Sequence, residues 1–431
     1  MTESTASERQ QEARRRVTAG LNRRRNRERL FRSTGIIATA VGIAFLAVFF
    51  VSLFVLGSSA FSQTFIKLDV ELDQDTLAVN GTSDLANGDF FAPVRNSLRE
   101  LFPDASGRSE RRDLYRLVSV AAEYQLRDML IANPELLGTS QSLWFPASAN
   151  VDMLVKGNID TDLEEFLRPL NDAQLGWVES LQHEGRLEKQ FNSALFLNGD
   201  SREPEIAGIR GALAGSFYML TVTLMLAFPI GVAAAVYLEE FAPENLWTDL
   251  IEVNINNLAA VPSIIFGLLG LAVFINWVGL PRSASLVGGL VLSLMTLPVI
   301  IIAARASIKA VPPSIREGAL ALGASKMQVV FHHVLPLSLP GILTGTIIGM
   351  SRALGESAPL LMIGMVAFIV DVPEGIMDPA TALPVQVFLW ADSPERAFAE
   401  RTSAAIIVLL GFLLLMNLAA VLVRKRMERK F

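Results

Sequence analysis

Long apolar segments without charges divide the chain. Each is long enough to cross about 30 Å of hydrocarbon. We therefore expect membrane spans at Gly35–Val55, Gly211–Leu238, Leu258–Val278, Ala284–Ala304 and Ser403–Val423. A sixth apolar segment, Gly341–Val370, differs from the others because it contains Arg352 and Glu356. Six spans would leave both ends of the chain on one side of the membrane.

The segment between the first two spans has a mixed pattern that is typical of a folded domain. Alternation of apolar and polar positions predicts a half-buried strand, whose apolar residues are Ile66, Leu68, Val70 and Leu72. Helical periodicity predicts amphipathic helices at Leu114–Ile131 and Asp162–His183, the second kinked or interrupted at Pro169. Two shorter runs, Val151–Lys156 and Asn192–Leu197, are candidate strands. We expect an α+β domain.

Composition agrees with a membrane protein and excludes some chemistry. Of the 431 residues, 51% are hydrophobic, and no cysteine is present. Disulfides and thiol catalysis are therefore excluded. The sequence contains no pattern typical of a metal cluster or a catalytic triad, and His183 is interpreted as a surface residue. We expect neither an enzyme nor a bound cofactor.

Flanking charges predict the orientation. Residues 1–32 contain ten Arg and four Glu, and residues 424–430 are mostly basic, so both termini are expected in the cytoplasm. The basic tail suits contact with anionic lipid better than nucleic acid. The loop at 305–326 then also lies inside. The 239–257 segment is placed inside as well, although it is acidic, because acidic residues have little weight in this rule.

The loop after the fourth span predicts a helical hairpin. Pro312 and Pro313 should end the preceding helix. Ser314 and Glu317 have the spacing of a capping box, so a short helix should begin there and stop near Gly323, which suits a left-handed cap.

A second helix should follow that bend. Ser325 can cap it, and its apolar stripe would consist of Met327, Val330, Phe331 and Val334. Such a hairpin suits docking into a groove of a soluble partner. Alternatively, it is a well-capped loop that lies against its own membrane helices. Gly318 and Gly323 have the spacing of a phosphate-binding loop, but Lys326 arrives too late, so no nucleotide site follows.

Arg352 and Glu356 are spaced i, i+4, which would place both side chains on one helix face. Burying an ionisable group inside a membrane costs free energy, so such groups usually face a polar pathway or each other. One interpretation is a structural ion pair. The other is an anion path, because a guanidinium offers fixed donors to oxyanions and a carboxylate can hold it until the anion arrives.

Two stretches resemble a known family. The hairpin loop resembles the coupling loop of ABC-importer permeases at Glu317, Ala319, Gly323, Leu335 and Pro336, and departs from it at Gly318 and His333. Residues 350–361 are similar to the PstA permeases of phosphate-specific importers and read Met-Ser-Arg-Ala-Leu-Gly-Glu-Ser-Ala-Pro-Leu-Leu. Residues 260–270 and 297–301 agree with the same family. The resemblance extends from about residue 205 to the C-terminus.

The resemblance implies an all-α polytopic protein of the bacterial inner membrane, with the six-helix type I ABC importer permease fold and an α+β extracytoplasmic domain between helices 1 and 2. The implied division is a cytoplasmic tail at 1–32, a first transmembrane helix at 33–56, the outer domain at 57–205, a permease domain at 206–424 with its coupling loop at 305–340, and a second tail at 425–431.

The resemblance also implies partners and site residues. The chain would pair with a PstC-type sister permease, two PstB-type ATPases that bind the ATP, and a PstS-type phosphate-binding protein. The implied ATPase-coupling residues are Ser314, Glu317, Ala319, Gly323, Met327, Phe331, Leu335 and Pro336. The substrate path would contain Arg352 and Glu356, and hinge or packing positions would be Pro262, Gly267, Gly270 and Pro298.

Three alternatives remain open at this point. The chain could be an ABC permease for another oxyanion, such as phosphonate or sulfate. It could be a membrane sensor of phosphate, an interpretation that leaves the coupling-loop match unexplained. An intramembrane hydrolase is disfavoured because no span contains a nucleophile with a suitable His or Asp partner.

Overall fold

A computed structural model describes residues 3–79, 88–366 and 368–427. The chain forms two compact units, Met1–Leu56 and Gly57–Phe431. The described part of the first unit is a single helix, α1, which runs from Glu3 to Ser59 and so extends three residues into the second unit. Its Arg24–Ser59 portion contains an apolar stretch long enough to cross a membrane, as the expected first span requires.

The outer domain contains a three-stranded antiparallel sheet. Strand β1 (Ser62–Glu71) lies between β2 (Ser140–Pro146) and β3 (Leu187–Phe191). The alternating pattern predicted β1 correctly: Ile66, Leu68 and Val70 point into the domain core and are completely buried. The hydrophobic pattern did not predict β2 or β3. β3 is largely polar, and only its pairing with β1 identifies it as a strand.

Helices cover this sheet and connect its strands. Their bounds are α2 Gln74–Leu77, α3 Ala92–Leu101, α4 Arg108–Tyr115, α5 Ala121–Ala132, α6 Ala149–Val155, α7 Asp172–His183 and α8 Ala194–Leu197. The expected α+β class is confirmed. His183 is exposed, as expected.

Two predicted helices of the outer domain are wrong in part. Leu114–Ile131 is two helices, α4 and α5, because Val118 between them pairs in extended conformation with Ala147. The predicted helix Asp162–His183 begins only at Asp172, beyond Pro169. Asn171 and Gln174 cap its start reciprocally.

Both predicted short strands are helices. Val151–Lys156 falls in α6, where the Asp152 carboxylate accepts a hydrogen bond from the Thr64 N–H at 2.8 Å. Asn192–Leu197 falls in α8, where the Asn192 side chain accepts from the Leu195 N–H at 3.2 Å. The Asp152 bond joins α6 to β1 from far along the chain, whereas the Asn192 bond is local and precedes the first turn of α8. A short apolar pattern reveals neither contact.

The membrane region is built around one central helix. Its elements are α9 Arg210–Val236, α10 Leu246–Ala259, α11 Ser263–Gly270, α12 Ser285–Lys309, α13 Pro313–Ala321, α14 Lys326–Val329, α15 Leu335–Leu354, α16 Ala358–Met362, α17 Leu383–Ala391 and α18 Phe398–Met427. Helix α12 packs against α9, α10, α11 and α15. Within the described residues, five helices are long and apolar enough to cross a membrane, or six if α10 and α11 form one bent span.

The predicted third span, Leu258–Val278, is not one straight helix. The chain bends by 101° between α10 and the Ser263–Trp277 helix, which ends in a π-helical turn. Pro262 stands at the start of α11, where its missing N–H is tolerated. Fifteen helical residues span only about 22 Å, so α11 and its extension are shorter than a hydrocarbon core.

The predicted span Gly341–Val370 is also shifted. The helix begins at Lys326 and ends at Leu354, and the short α16 follows it. Pro336 and Pro340 do not break it. Pro336 lies in the first turn of α15, directly after a π-helical turn at Val330–Val334 that changes the local hydrogen bonding.

Buried ion pairs join the outer domain to the last membrane helix. Lys156 Nζ lies 2.6 Å from Asp152 Oδ2 and 3.1 Å from Glu400 Oε2. Asn158 also donates to the Glu400 carboxylate. Because removing one partner would leave a buried charge unpaired, these contacts fix α6 to the start of α18.

Candidate functional site

The hairpin predicted after the fourth span is present, and we call α13, the Gly323 turn and α14 the Gly323 hairpin. Gly323 has φ +88°, in the left-handed region, and its N–H donates to the Leu320 carbonyl at 2.9 Å. Ser325 caps α14 as predicted: its hydroxyl accepts from the Gln328 N–H at 3.3 Å. The Gln328 side-chain oxygen in turn accepts a hydrogen bond from the Ser325 N–H at 2.8 Å.

The predicted capping box of Ser314 and Glu317 is wrong. The capping residue of α13 is Pro312, two positions earlier than the predicted Ser314, and Pro313 lies in the first turn. Proline has no side-chain acceptor, and Ser314 already lies inside the helix. Ser314 and Glu317 are both exposed, whereas Ala319 is buried against the neighbouring helices.

The apolar stripe of the second helix divides into two faces. Val330 and Val334 are buried in the core, but Met327 and Phe331 are about half exposed, at 55% and 48%. Leu322, beside the turn, is 91% exposed. The Gly323 hairpin therefore presents apolar side chains outward, which a surface that docks on another molecule would do.

A groove runs between this apolar face and α9. Its volume is about 430 Å³, and Met327, Phe331 and Leu335 line one side of it. Phe228 and Tyr237 are among the residues on the opposite side. Leu335 thus belongs to the groove wall.

Ion pairs attach the Gly323 hairpin to the membrane helices. Arg316 Nη2 lies 2.7 Å from Glu240 Oε1, and the same guanidinium donates to the Ile308 and Val311 carbonyls at 2.9 and 2.6 Å. These contacts tie α13 to the ends of α9 and α12. Sequence analysis missed this role of Arg316.

A second arginine continues the network to α10. Arg305 Nη1 lies 2.9 Å from Glu252 Oε1, and its Nη2 lies 3.4 Å from Glu239 Oε2. The sequence contained a sign of these ion pairs, because the 239–257 segment is acidic although it was placed on the same side as the basic loops. Three of its carboxylates, those of Glu239, Glu240 and Glu252, pair with Arg305 or Arg316.

Arg352 and Glu356 lie together, but not within one helix. Helix α15 ends at Leu354, and Glu356 follows the turn at Gly355. Arg352 Nε lies 3.5 Å from Glu356 Oε1, and the two side chains are 48% and 20% exposed. The cation occupies the last turn of α15, where the helix dipole favours it. The pair is loose and partly open.

One helix connects the Gly323 hairpin to this pair. Lys326 to Leu354 is a continuous helical segment of 29 residues. At about 1.5 Å per residue, Arg352 lies roughly 40 Å along the axis from Lys326. The structure therefore separates the two candidate groups by about the thickness of a membrane, at opposite ends of the same element.

The four hinge or packing candidates lie where elements meet closely. A Cβ on Gly267 would come within 2.7 Å of the Pro359 backbone in α16, and one on Gly270 would overlap the Val291 side chain in α12. Pro298 is buried inside α12. The two glycines therefore let α11 pack closely against α16 and α12, and Pro262 lies at the bend before α11.

Comparison with known proteins assigns the membrane region. Residues 227–429 match the family described as binding-protein-dependent transport system inner membrane component. The phosphate transport system permease protein PstA 1 of Mycobacterium tuberculosis (strain CDC 1551 / Oshkosh) is 33% identical over 230 residues, which are 53% of this chain and 74% of that protein. The chain belongs to the PstA-type permease family. It is thus an ABC importer permease and a multi-pass membrane protein. Its relatives are transport subunits rather than enzymes.

Other matches are shorter. The probable ABC transporter permease protein YqgI of Bacillus subtilis (strain 168) is 39% identical over 155 residues, or 36% of this permease. The chain spans about half (52%) of that relative's length. An inward-facing structure of the MetNI methionine ABC transporter aligns at a TM-score of 0.41 and 21% identity, over 50% of this permease and 95% of that chain. Residues 18–165 match a domain of unknown function, DUF3333, which includes much of α1 and the first part of the outer domain.

Proposed function

We propose that this chain is the transmembrane permease subunit of an ATP-driven importer of inorganic phosphate. The phosphate permease relative supports this substrate, because its 33% identity extends over most of its own length. The chemistry of residues 350–361 agrees, since an arginine at a partly open helix end can bind a tetrahedral oxyanion through two parallel hydrogen bonds.

The main support for the proposed mechanism is the continuous helical segment from Lys326 to Leu354. An ATPase that moves the Gly323 hairpin would move Arg352 as well, because a helix transmits axial and rotational displacements along its length. Arg316 attaches the hairpin to Glu240, just beyond α9, and to the end of α12. Arg305 of α12 in turn pairs with Glu239 and with Glu252 of α10, so these helices would move with the hairpin. Alternating access would follow from this shared motion, with ATP bound and hydrolysed only by the partner subunits.

Glu356 would hold Arg352 between substrates. At 3.5 Å the pair is longer than a strong charge-assisted hydrogen bond, so an arriving phosphate can replace the carboxylate at modest cost. Because Glu356 lies beyond the helix end, its side chain can move away without disturbing α15.

The proposal includes a PstC-type sister permease, two PstB-type ATPases and a PstS-type external phosphate-binding protein. The exposed apolar side chains of the Gly323 hairpin would contact an ATPase in helix-in-groove fashion. Both termini and the hairpin would face the cytoplasm of a bacterial cell, and the outer domain would face outward.

The test is phosphate uptake and phosphate-stimulated ATP hydrolysis by the reconstituted four-component importer. We expect Arg352→Gln to abolish both while the complex still assembles, and Arg352→Lys to restore little, because an ammonium does not reproduce the bidentate fork. Arg282→Gln, at an exposed arginine before α12, is the charge-matched control and should transport normally. Sulfate in place of phosphate should not stimulate hydrolysis.

Two results would contradict the proposal. Recovery of transport in the double variant Arg352→Gln with Glu356→Gln would make the pair a structural one. If sulfate or phosphonate stimulated ATP hydrolysis and phosphate did not, the chain would still be an importer permease, but its substrate would not be phosphate.

A further inference from the structure

The outer domain contains a pocket whose charged side chains are all arginines. It lies between α3 and α4 and has a volume of about 830 Å³. The residues that line it are Arg99, Ser106, Arg108, Ser109, Arg111, Arg112 and Tyr115. It belongs to the part of the chain that matches a domain of unknown function, far in sequence from the permease helices.

In the part of the chain that the structure describes, no carboxylate neutralises the four guanidinium groups of this pocket. Among the described residues, none of them has a carboxylate oxygen within 4 Å, although neighbouring arginines do: Arg95 pairs with Asp89, and Arg116 lies 3.8 Å from Asp113. Glu110 of α4 instead accepts a hydrogen bond from the Gly107 N–H at 2.9 Å, and Asp113 of the same helix is the partner of Arg116. The positive charge is therefore available to a ligand.

Neutral acceptors hold two of these arginines in place. Arg99 Nε donates to the Tyr115 hydroxyl, and its guanidinium lies over the Tyr115 ring, 5.4 Å from the centroid. Arg111 Nε donates to the Ala105 carbonyl at 3.3 Å. Such contacts orient a guanidinium without cancelling its charge, which is the preorganisation that an anion site needs.

We propose that this pocket binds a soluble anion that carries two or more phosphate groups. Four guanidiniums and three hydroxyls provide donors in the fork geometry that phosphate oxygens match. One phosphate group carries at most about two charges at neutral pH, fewer than the four positive charges present. The volume is also within the range of pockets for small organic ligands, which leaves room for more than a single phosphate.

Calorimetric titration of the purified full-length chain with tripolyphosphate tests this site. We expect saturable binding by the wild type, weaker binding of orthophosphate, and none of sulfate at the same concentration. Arg108→Gln with Arg112→Gln should weaken tripolyphosphate binding by about tenfold for each guanidinium removed. Arg116→Gln, at the end of the same helix but outside the pocket, is the matched control and should bind normally.

The outcomes separate this site from general charge effects. Absence of wild-type binding, or an equal loss in Arg116→Gln, would overturn the site. Orthophosphate binding as tight as that of tripolyphosphate would overturn the multivalent assignment. Two results would show that the double Gln variant loses tripolyphosphate binding without losing its fold. Its melting temperature would be unchanged, and the corresponding double Lys variant, Arg108→Lys with Arg112→Lys, would bind partially. The readout requires no transport, so it does not depend on the proposed import function.

Discussion

At the scale of single residues, Arg316 is the side chain that attaches the Gly323 hairpin. Its guanidinium contacts one carboxylate and two main-chain carbonyls from two other elements. One carbonyl, that of Ile308 in the last turn of α12, also accepts from the Val311 N–H at 3.2 Å, and the other belongs to Val311 just after the helix. Arg316 therefore joins the end of α12 to the hairpin.

We predict that Arg316→Gln loosens the hairpin. Each lost charge-assisted hydrogen bond contributes about 1.5–3 kcal/mol, so the α13 amides should exchange with solvent at least tenfold faster. In the reconstituted importer, ATP hydrolysis should no longer depend on phosphate uptake. Hydrogen exchange measured by mass spectrometry, beside a coupled transport assay, checks both effects.

Lys309→Gln is the control for that experiment. It removes a positive charge from the same region, but Lys309 is exposed and makes no side-chain hydrogen bond or ion pair in the described structure. Equal exchange rates in the two variants would show that Arg316 does not hold the hairpin.

At the scale of elements, Gly323 determines the turn of the hairpin. Its φ of +88° lies where residues with a Cβ are strained, although a Cβ there would meet no described atom within 4 Å. We predict that Gly323→Ala destabilises the turn by about 1–2 kcal/mol through backbone strain alone.

Gly318 provides a matched glycine for this prediction. It lies inside α13, a Cβ added to it would likewise meet no described atom within 4 Å, and its φ is not positive. Gly318→Ala should therefore leave the hairpin unchanged or slow its exchange slightly, because alanine favours helix by about 1 kcal/mol over glycine. If both variants accelerate exchange equally, backbone conformation is not the cause.

The sequence predicted elements well where one local rule decided the structure. The Gly323 turn, the Ser325 cap and strand β1 each follow from neighbouring residues alone. The capping box at Ser314 failed because Pro312 and Pro313 start α13 earlier, and local rules do not rank two competing starts.

Longer helices were predicted less well because distant packing decides their ends. The sixth span was predicted to begin at Gly341, yet a π-helical turn lets α14 and α15 form one helical segment that passes through Pro336. The i, i+4 spacing correctly brought Arg352 and Glu356 together, but the turn at Gly355 makes the contact rather than a helix face. The sequence did not predict the arginine pocket, because its residues come from two helices, α3 and α4, that form a pocket only when they pack together.

At the scale of the whole molecule, a folded outer domain is inserted ahead of the permease helices and fastened to the last of them. The buried Lys156–Glu400 ion pair crosses from α6 to the start of α18. Trp390 of α17 donates to Asp200 in the segment before α9, at 2.9 Å. These contacts place the outer domain at the opposite end of α9 from the Gly323 hairpin, because α9 begins next to the Asp200 segment and Glu240, just beyond its other end, pairs with Arg316.

The last prediction concerns which side of the membrane each end occupies. The chain contains no cysteine, so a single introduced thiol is labelled without background. Ser140, at the start of β2, and Ser314, in α13, are both exposed, and neither replacement removes a helix cap, as one at Ser325 would. If basic flanks set the orientation, Ser140→Cys reacts with an impermeant maleimide in intact spheroplasts, and Ser314→Cys reacts only after permeabilisation. The reverse labelling would place the Gly323 hairpin outside, where no ATPase could reach it, and would refute the proposed coupling and orientation together.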